Sequence, residues 1–178
     1  MAKGDRTSDQ DDFITDFGRN PPLTTRLFYF TLATLPLLLS TYLFIRLYVL
    51  QISSCILTLL SGIILGALIL SIAYHQLFFA TAARLRLTTK RPSKNSFKGK
   101  KSEYDVAVKD YEGGLERSAF CYSYFYNNLL FLMGVPFFGV YLVGEKVSGD
   151  LCFVVAAGLA GGVAWFNSKS ALRAIGES

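Results

Sequence analysis

The chain has 178 residues, 52% of them hydrophobic, 15% aromatic and only 17% charged, with a mean hydropathy of +0.37. Soluble domains carry about 25% charged residues, and here the charges are also gathered at a few places, which excludes an ordinary soluble fold. The formal net charge is +5 with a single histidine, a poor basis for histidine-centred catalysis or metal binding.

The first 26 residues are polar, so the expectation is a chain inserted by its own spans that keeps its N-terminus. In "DDFITDFGRNPP", Phe13 and Phe17 fall on one face of a short helix, Asp11 and Asp12 suit its N-terminus, and Asn20-Pro21-Pro22 stops it. An interfacial helix and an unstructured tail both fit that pattern.

Four runs without Asp, Glu, Lys or Arg follow: Leu27–Ile45 (19 residues), Ile52–Ala83 (32), Ala119–Gly144 (26) and Leu151–Ser168 (18). A membrane span needs about 20 apolar residues, and these runs are apolar all round, unlike the two-faced helices of a soluble bundle. The expected fold is all-α, an integral membrane bundle of four transmembrane helices. Residues 27–83 hold helices 1 and 2, 84–118 form a basic loop, 119–168 hold helices 3 and 4, and 169–178 form a tail.

Pro36 in helix 1 and Pro136 in helix 3 mark bends. Helix 2 reaches about 48 Å against a hydrocarbon core of about 30 Å, so it should project from the membrane with Arg84 and Arg86 on a stalk. His75 then lies near the headgroups, and the lack of an ionisable partner in any span argues against a proton relay. Gly62 with Gly66, and Gly158 with Gly162, each form a GxxxG that lets helices approach closely, either inside this bundle or against another membrane subunit.

Four spans put both tails and the 84–118 loop on one side. That side holds sixteen of the 18 Lys and Arg residues, leaving Arg46 and Lys146 opposite. The positive-inside bias therefore predicts cytosolic termini and a cytosolic loop. Cys55 and Cys152 both open helices at the far end. They read as small buried apolar residues, with a disulfide as the alternative.

The strip "RLRLTTKRPSKNSFKGKK" contains Arg84, Arg86, Lys90, Arg91, Lys94, Lys98, Lys100 and Lys101 and no acid. Three roles fit: enforcing topology, binding anionic lipid, or binding nucleic-acid phosphate. Beyond it, Tyr104, Val108 and Tyr111 share a helical face, and Gly113-Gly114 offers a stop. A flexible arm leading into a short amphipathic helix is expected. All 13 acidic residues lie in tails or loops, so no catalytic constellation, metal-ligand set, cofactor site or intramembrane charge is read from the chain.

At the entrance to helix 3, "YSYFYNNLLFLMG" places Asn127 and Asn128 inside the span, because the residues after them are too few to cross the core. Buried amides need partners. Consecutive helix positions point about 100° apart, so the two should serve different neighbours and pin helix 3. Replacing both should spare insertion and loosen assembly.

The stretch Tyr122-Ser123-x-Phe125-Tyr126-Asn127-Asn128-x-Leu130-Phe131-Leu132 resembles the gamma-subunit family of the translocon-associated protein (TRAP) complex, also called the signal sequence receptor. Asp16-Phe17-x-Arg19-Asn20 and Ala73-Tyr74 are similar to it as well. The resemblance implies a non-enzymatic, multi-pass protein of the endoplasmic-reticulum membrane without cofactors. It implies the Sec protein-conducting channel, the alpha, beta and delta TRAP subunits, membrane lipids and the large ribosomal subunit (RNA and protein) as partners. The ribosome contact would fall to the basic strip, which looks shorter and less charged than in animal members. The alternative is a structural or anionic-lipid-binding tetraspan protein that does not touch the ribosome.

Overall fold

The computed structural model describes residues 21–93, 97, 100–143 and 147–176. The Phe13–Phe17 helix, the Asp16–Asn20 motif, Lys94 and Lys98 lie outside them. Four long helices make up the molecule: α1 Leu23–Tyr48, α2 Ile52–Thr88, α3 Lys101–Phe137 and α4 Gly149–Gly176, with no strand among the described residues. All four carry windows long and apolar enough to cross a membrane. The chain is an all-α, multi-pass membrane bundle.

The termini of the helices follow local chemistry. Pro22 sits at the N-cap of α1, where its missing N–H costs nothing. α1 ends at Val49, whose φ of 49° is left-handed. Glycine usually takes that position, and a β-branched residue is strained there. The turn is closed by the Leu50 N–H donating to the Ile45 carbonyl at 3.1 Å. Pro36 is buried inside α1, and the Ser40 hydroxyl caps its carbonyl at 2.9 Å. After Pro136 the chain continues from α3 as a π-helical turn over Phe138–Val143. Proline removes one rung of the α-ladder, and a wider turn is a local way to absorb the fault.

α2 is the central helix and touches the other three. Its broadest contact is with α4, to which it runs parallel: Gly62 lies against Phe153 and Val154, and Gly161 against Ile69. The core joins Leu37, Leu70, Tyr74, Phe131 and Phe153 to an alanine-rich face of α4 made of Ala156, Ala157, Ala160 and Ala164. The outward faces carry Leu, Ile, Val and Phe, among them Leu57 at 80% and Phe125 at 69% exposure. Such surfaces suit lipid rather than water.

Only one of the two GxxxG pairs is a packing device within this bundle. A Cβ on Gly62 would lie 2.8 Å from the Phe153 ring, and one on Gly66 2.5 Å from Leu37 Cδ2. On α4 a Cβ at Gly158 would reach only Leu65, at 4.0 Å, and one at Gly162 meets nothing within 4 Å. The small residues that admit neighbours there are Gly161 and Ala160, the latter 3.0 Å from the Cβ position of Gly134.

The cysteines are free thiols. Cys55 and Cys152 do not pair. Gly62 is level with Phe153, which places Cys152 about 9 Å further along the parallel pair than Cys55 at 1.5 Å per residue. That offset adds to the interhelical spacing and exceeds the Cα separation of about 7 Å that a disulfide spans. Instead the Cys152 thiol donates to the Gly139 carbonyl at 3.2 Å, which also accepts the Tyr48 hydroxyl at 3.0 Å. This ties α1, α4 and the π-turn together at the end opposite the basic strip.

Candidate anion-binding hairpin

The basic strip sits on a two-helix hairpin. Tyr29 of α1 meets Tyr74 of α2 and Phe120 of α3 at ring-centroid distances of 6.2 and 6.3 Å, which sets a common level. From that level α1 extends about 9 Å, α2 about 21 Å and α3 about 28 Å at 1.5 Å per residue. α2 and α3 therefore stand well clear of α1. Their projecting parts are zipped by Ala82, Leu115 and Ala119, with Phe78, Leu85 and Tyr111 packed around them.

This corrects the expected short amphipathic helix ending at Gly113-Gly114. α3 runs unbroken through Gly113 and Gly114, with nothing within 4 Å of either Cβ position. Glycine costs about 1 kcal/mol in a helix. Burial of Leu115 and Ala119 on one side, with helix already formed on both flanks, outweighs it. The helical part of the strip ends at Thr88, and Pro92 lies in the irregular connection.

The cations of the strip differ in surroundings. Arg84, Lys90 and Lys101 are exposed, and none has an ion pair to a carboxylate among the described residues. Arg86 is half-buried. Burial pushes its pKa down; the carboxylates of Glu112 and Glu116 and Tyr111 oppose that, and Arg91 adds to it. Arg91 lies 3.9 Å from Glu112, and Lys100 bonds Glu103 at 2.8 Å on the surface. The sequence puts Arg84 and Arg86 together on the stalk and does not tell these two apart. The acids that separate them, Glu112 and Glu116, lie about one turn apart on a single stripe of α3, and their spacing as i and i+4 was the available signal.

One hydrogen bond closes the hairpin. The Tyr111 hydroxyl donates to the Thr89 carbonyl at 2.9 Å, while the Thr89 N–H caps Leu85 at 2.9 Å. Tyr111→Phe should cost about 0.5–1.5 kcal/mol of local stability. Amide exchange around residues 85–91 should quicken several-fold while the spans stay protected. Unchanged exchange would show that the clasp contributes nothing.

Below the hairpin, Asn127 and Asn128 turn to different helices. Asn127 is fully buried and its Oδ1 accepts the Ser168 hydroxyl of α4 at 3.1 Å. Asn128 accepts the Tyr74 hydroxyl of α2. The Ser123 hydroxyl adds a bond to the Tyr74 carbonyl at 2.7 Å, a contact the sequence reading missed. His75 stands beside Tyr29, centroids 6.1 Å apart, and neither ring nitrogen has a hydrogen-bond partner among the described residues. No His, Cys, Asp and Glu grouping among those residues has metal-site geometry.

The fold defines a multi-pass membrane protein with a polar, charge-bearing hairpin at one end. The chain matches no protein-family model and no curated protein.

Proposed function

We propose that the chain is a non-enzymatic accessory subunit of the endoplasmic-reticulum protein translocon, of the kind the TRAP gamma family provides. In this reading the hairpin faces the cytosol and anchors the complex to the translating ribosome beside the Sec channel. The observation that supports it most is the projecting hairpin with its exposed Arg84, Lys90 and Lys101. Cations that only set topology have no need of a rigid support reaching past the headgroups. A phosphate backbone is the polyanion such a support can reach. The Tyr122–Leu132 stretch, with its similarity to the family, points to the same role. In this reading both termini are cytosolic, and the alpha, beta and delta TRAP subunits would bind through the lipid-facing surfaces.

The test is joint neutralisation of Lys90, Arg91, Lys94, Lys98, Lys100 and Lys101, followed by co-sedimentation with ribosomes across a salt series. Each lost phosphate contact flattens the salt dependence by about 0.7–0.9. Binding should fall at least tenfold at physiological salt. Undiminished co-sedimentation overturns the assigned site. Loss of binding to anionic vesicles without any change on ribosomes would favour the lipid-binding tetraspan reading instead.

A further inference from the structure

We propose that the hairpin sorts its own cations: Arg84, Lys90 and Lys101 form the surface that takes a phosphate backbone, while Arg86 and Arg91 are committed to closing the hairpin. The proposal rests on reading the hairpin as a polyanion-binding element, and it assigns the residues of that element.

The sorting follows from helix geometry. Phe78, Ala82 and Leu85 are the α2 positions in the seam with α3. At 100° per residue, Arg86 lies about 70° from the middle of that contact and Arg84 about 130°. Arg86 therefore flanks the seam and Arg84 points away from it. Across the seam, Glu112 and Glu116 occupy one stripe of α3. Arg91 lies 3.9 Å from Glu112, and the charges of Glu112 and Glu116 both act on the half-buried Arg86 beside the apolar seam. A cation held this way has little to gain from an external phosphate, because taking one would strip a carboxylate of its counterion.

Arg84 and Lys90 sit on the α2 side of the hairpin, and Lys101 opens α3 ten residues, about 15 Å, beyond the clasp residue Tyr111. The Tyr111–Thr89 bond fixes where the chain leaves α2, immediately before Lys90. The three cations, exposed and without an ion pair among the described residues, are thus spread along the projecting hairpin. Lys100 pairs with Glu103 three residues along the same chain segment, so it neither bridges the two helices nor stands unpaired, and belongs to neither set.

The experiment uses the full chain in lipid nanodiscs and a single-stranded uridine oligonucleotide, with affinity followed against salt. Single strands give a slope of about −0.7 per neutralised phosphate. Arg84→Gln with Lys90→Gln and Lys101→Gln should flatten the slope by about 2. Arg86→Gln with Arg91→Gln should leave it nearly unchanged, although it removes almost as much charge. Glu112→Gln with Glu116→Gln releases both arginines and should steepen the slope by about 1, whereas Asp105→Asn with Asp110→Asn, equal in charge, should raise affinity without altering slope. This second comparison holds even if loss of Arg86 loosens the hairpin. Equal flattening by the two cation sets, or equal steepening by the two acid sets, overturns the sorting alone. Absence of salt-dependent oligonucleotide binding in the unmodified chain overturns the polyanion reading and the sorting with it.

Discussion

Leucine at both Gly62 and Gly66 is expected to cost the bundle about 2–6 kcal/mol, since each overpacked site costs about 1–3 kcal/mol. The two glycines sit one turn apart but meet different helices: Phe153 of α4 closes over Gly62, and Leu37 of α1 over Gly66. Both obstructing side chains are fully buried, at 0% exposure, so neither can swing aside. Even an alanine Cβ would lie 2.8 Å from Phe153 and 2.5 Å from Leu37, so the packing must already shift for alanine, and leucine has no space. The matched control is leucine at Gly158 and Gly162, which face open space on α4 and should change stability by no more than about 0.5 kcal/mol. Thermal unfolding in detergent, followed by the single tryptophan, reads both. Equal destabilisation by the two pairs would mean that the α2 glycines do not form the close contact.

The second large effect separates the two asparagines. Asn128→Leu strands the Tyr74 hydroxyl, whose ring is 1% exposed. A buried donor left without an acceptor costs about 1–3 kcal/mol. Asn127→Leu strands nothing: the Ser168 hydroxyl also bonds the Ala164 carbonyl at 2.8 Å, and the Asn127 Nδ2 already has no partner among the described residues. Its removal should be near neutral, within about 1 kcal/mol. Tyr74→Phe combined with Asn128→Leu should recover most of the loss, because both polar groups leave together. Reversible unfolding in mixed micelles gives the three values. A larger loss from Asn127→Leu than from Asn128→Leu would reverse the assignment. The pair thus divides into one amide that holds α3 to α2 and one that merely tolerates α4.

How much of this was legible in the chain depends on the kind of signal. The four spans and their order were legible because the bilayer imposes a length and an absence of charge that need no partner to be recognised. The reach of α2 beyond α1 was legible in the same way, because its uncharged run is much the longer of the two. That consecutive asparagines must serve different neighbours follows from helical pitch alone. Gly113-Gly114 misled, because a local stop signal says nothing about the burial of Leu115 and Ala119 that carries the helix through it. The two GxxxG pairs are equivalent as patterns, yet one receives Phe153 and Leu37 and the other faces open space.

The sequence by itself determined an all-helical membrane bundle with its cations concentrated at one end, since hydropathy and charge are properties of single residues summed along the chain. Only the tertiary structure decided which helix is central, which glycines are contacts, which asparagine holds α2, and which arginines are already matched by Glu112 and Glu116. Those are properties of pairs far apart in the chain, and they exist only once two helices are brought to a common register.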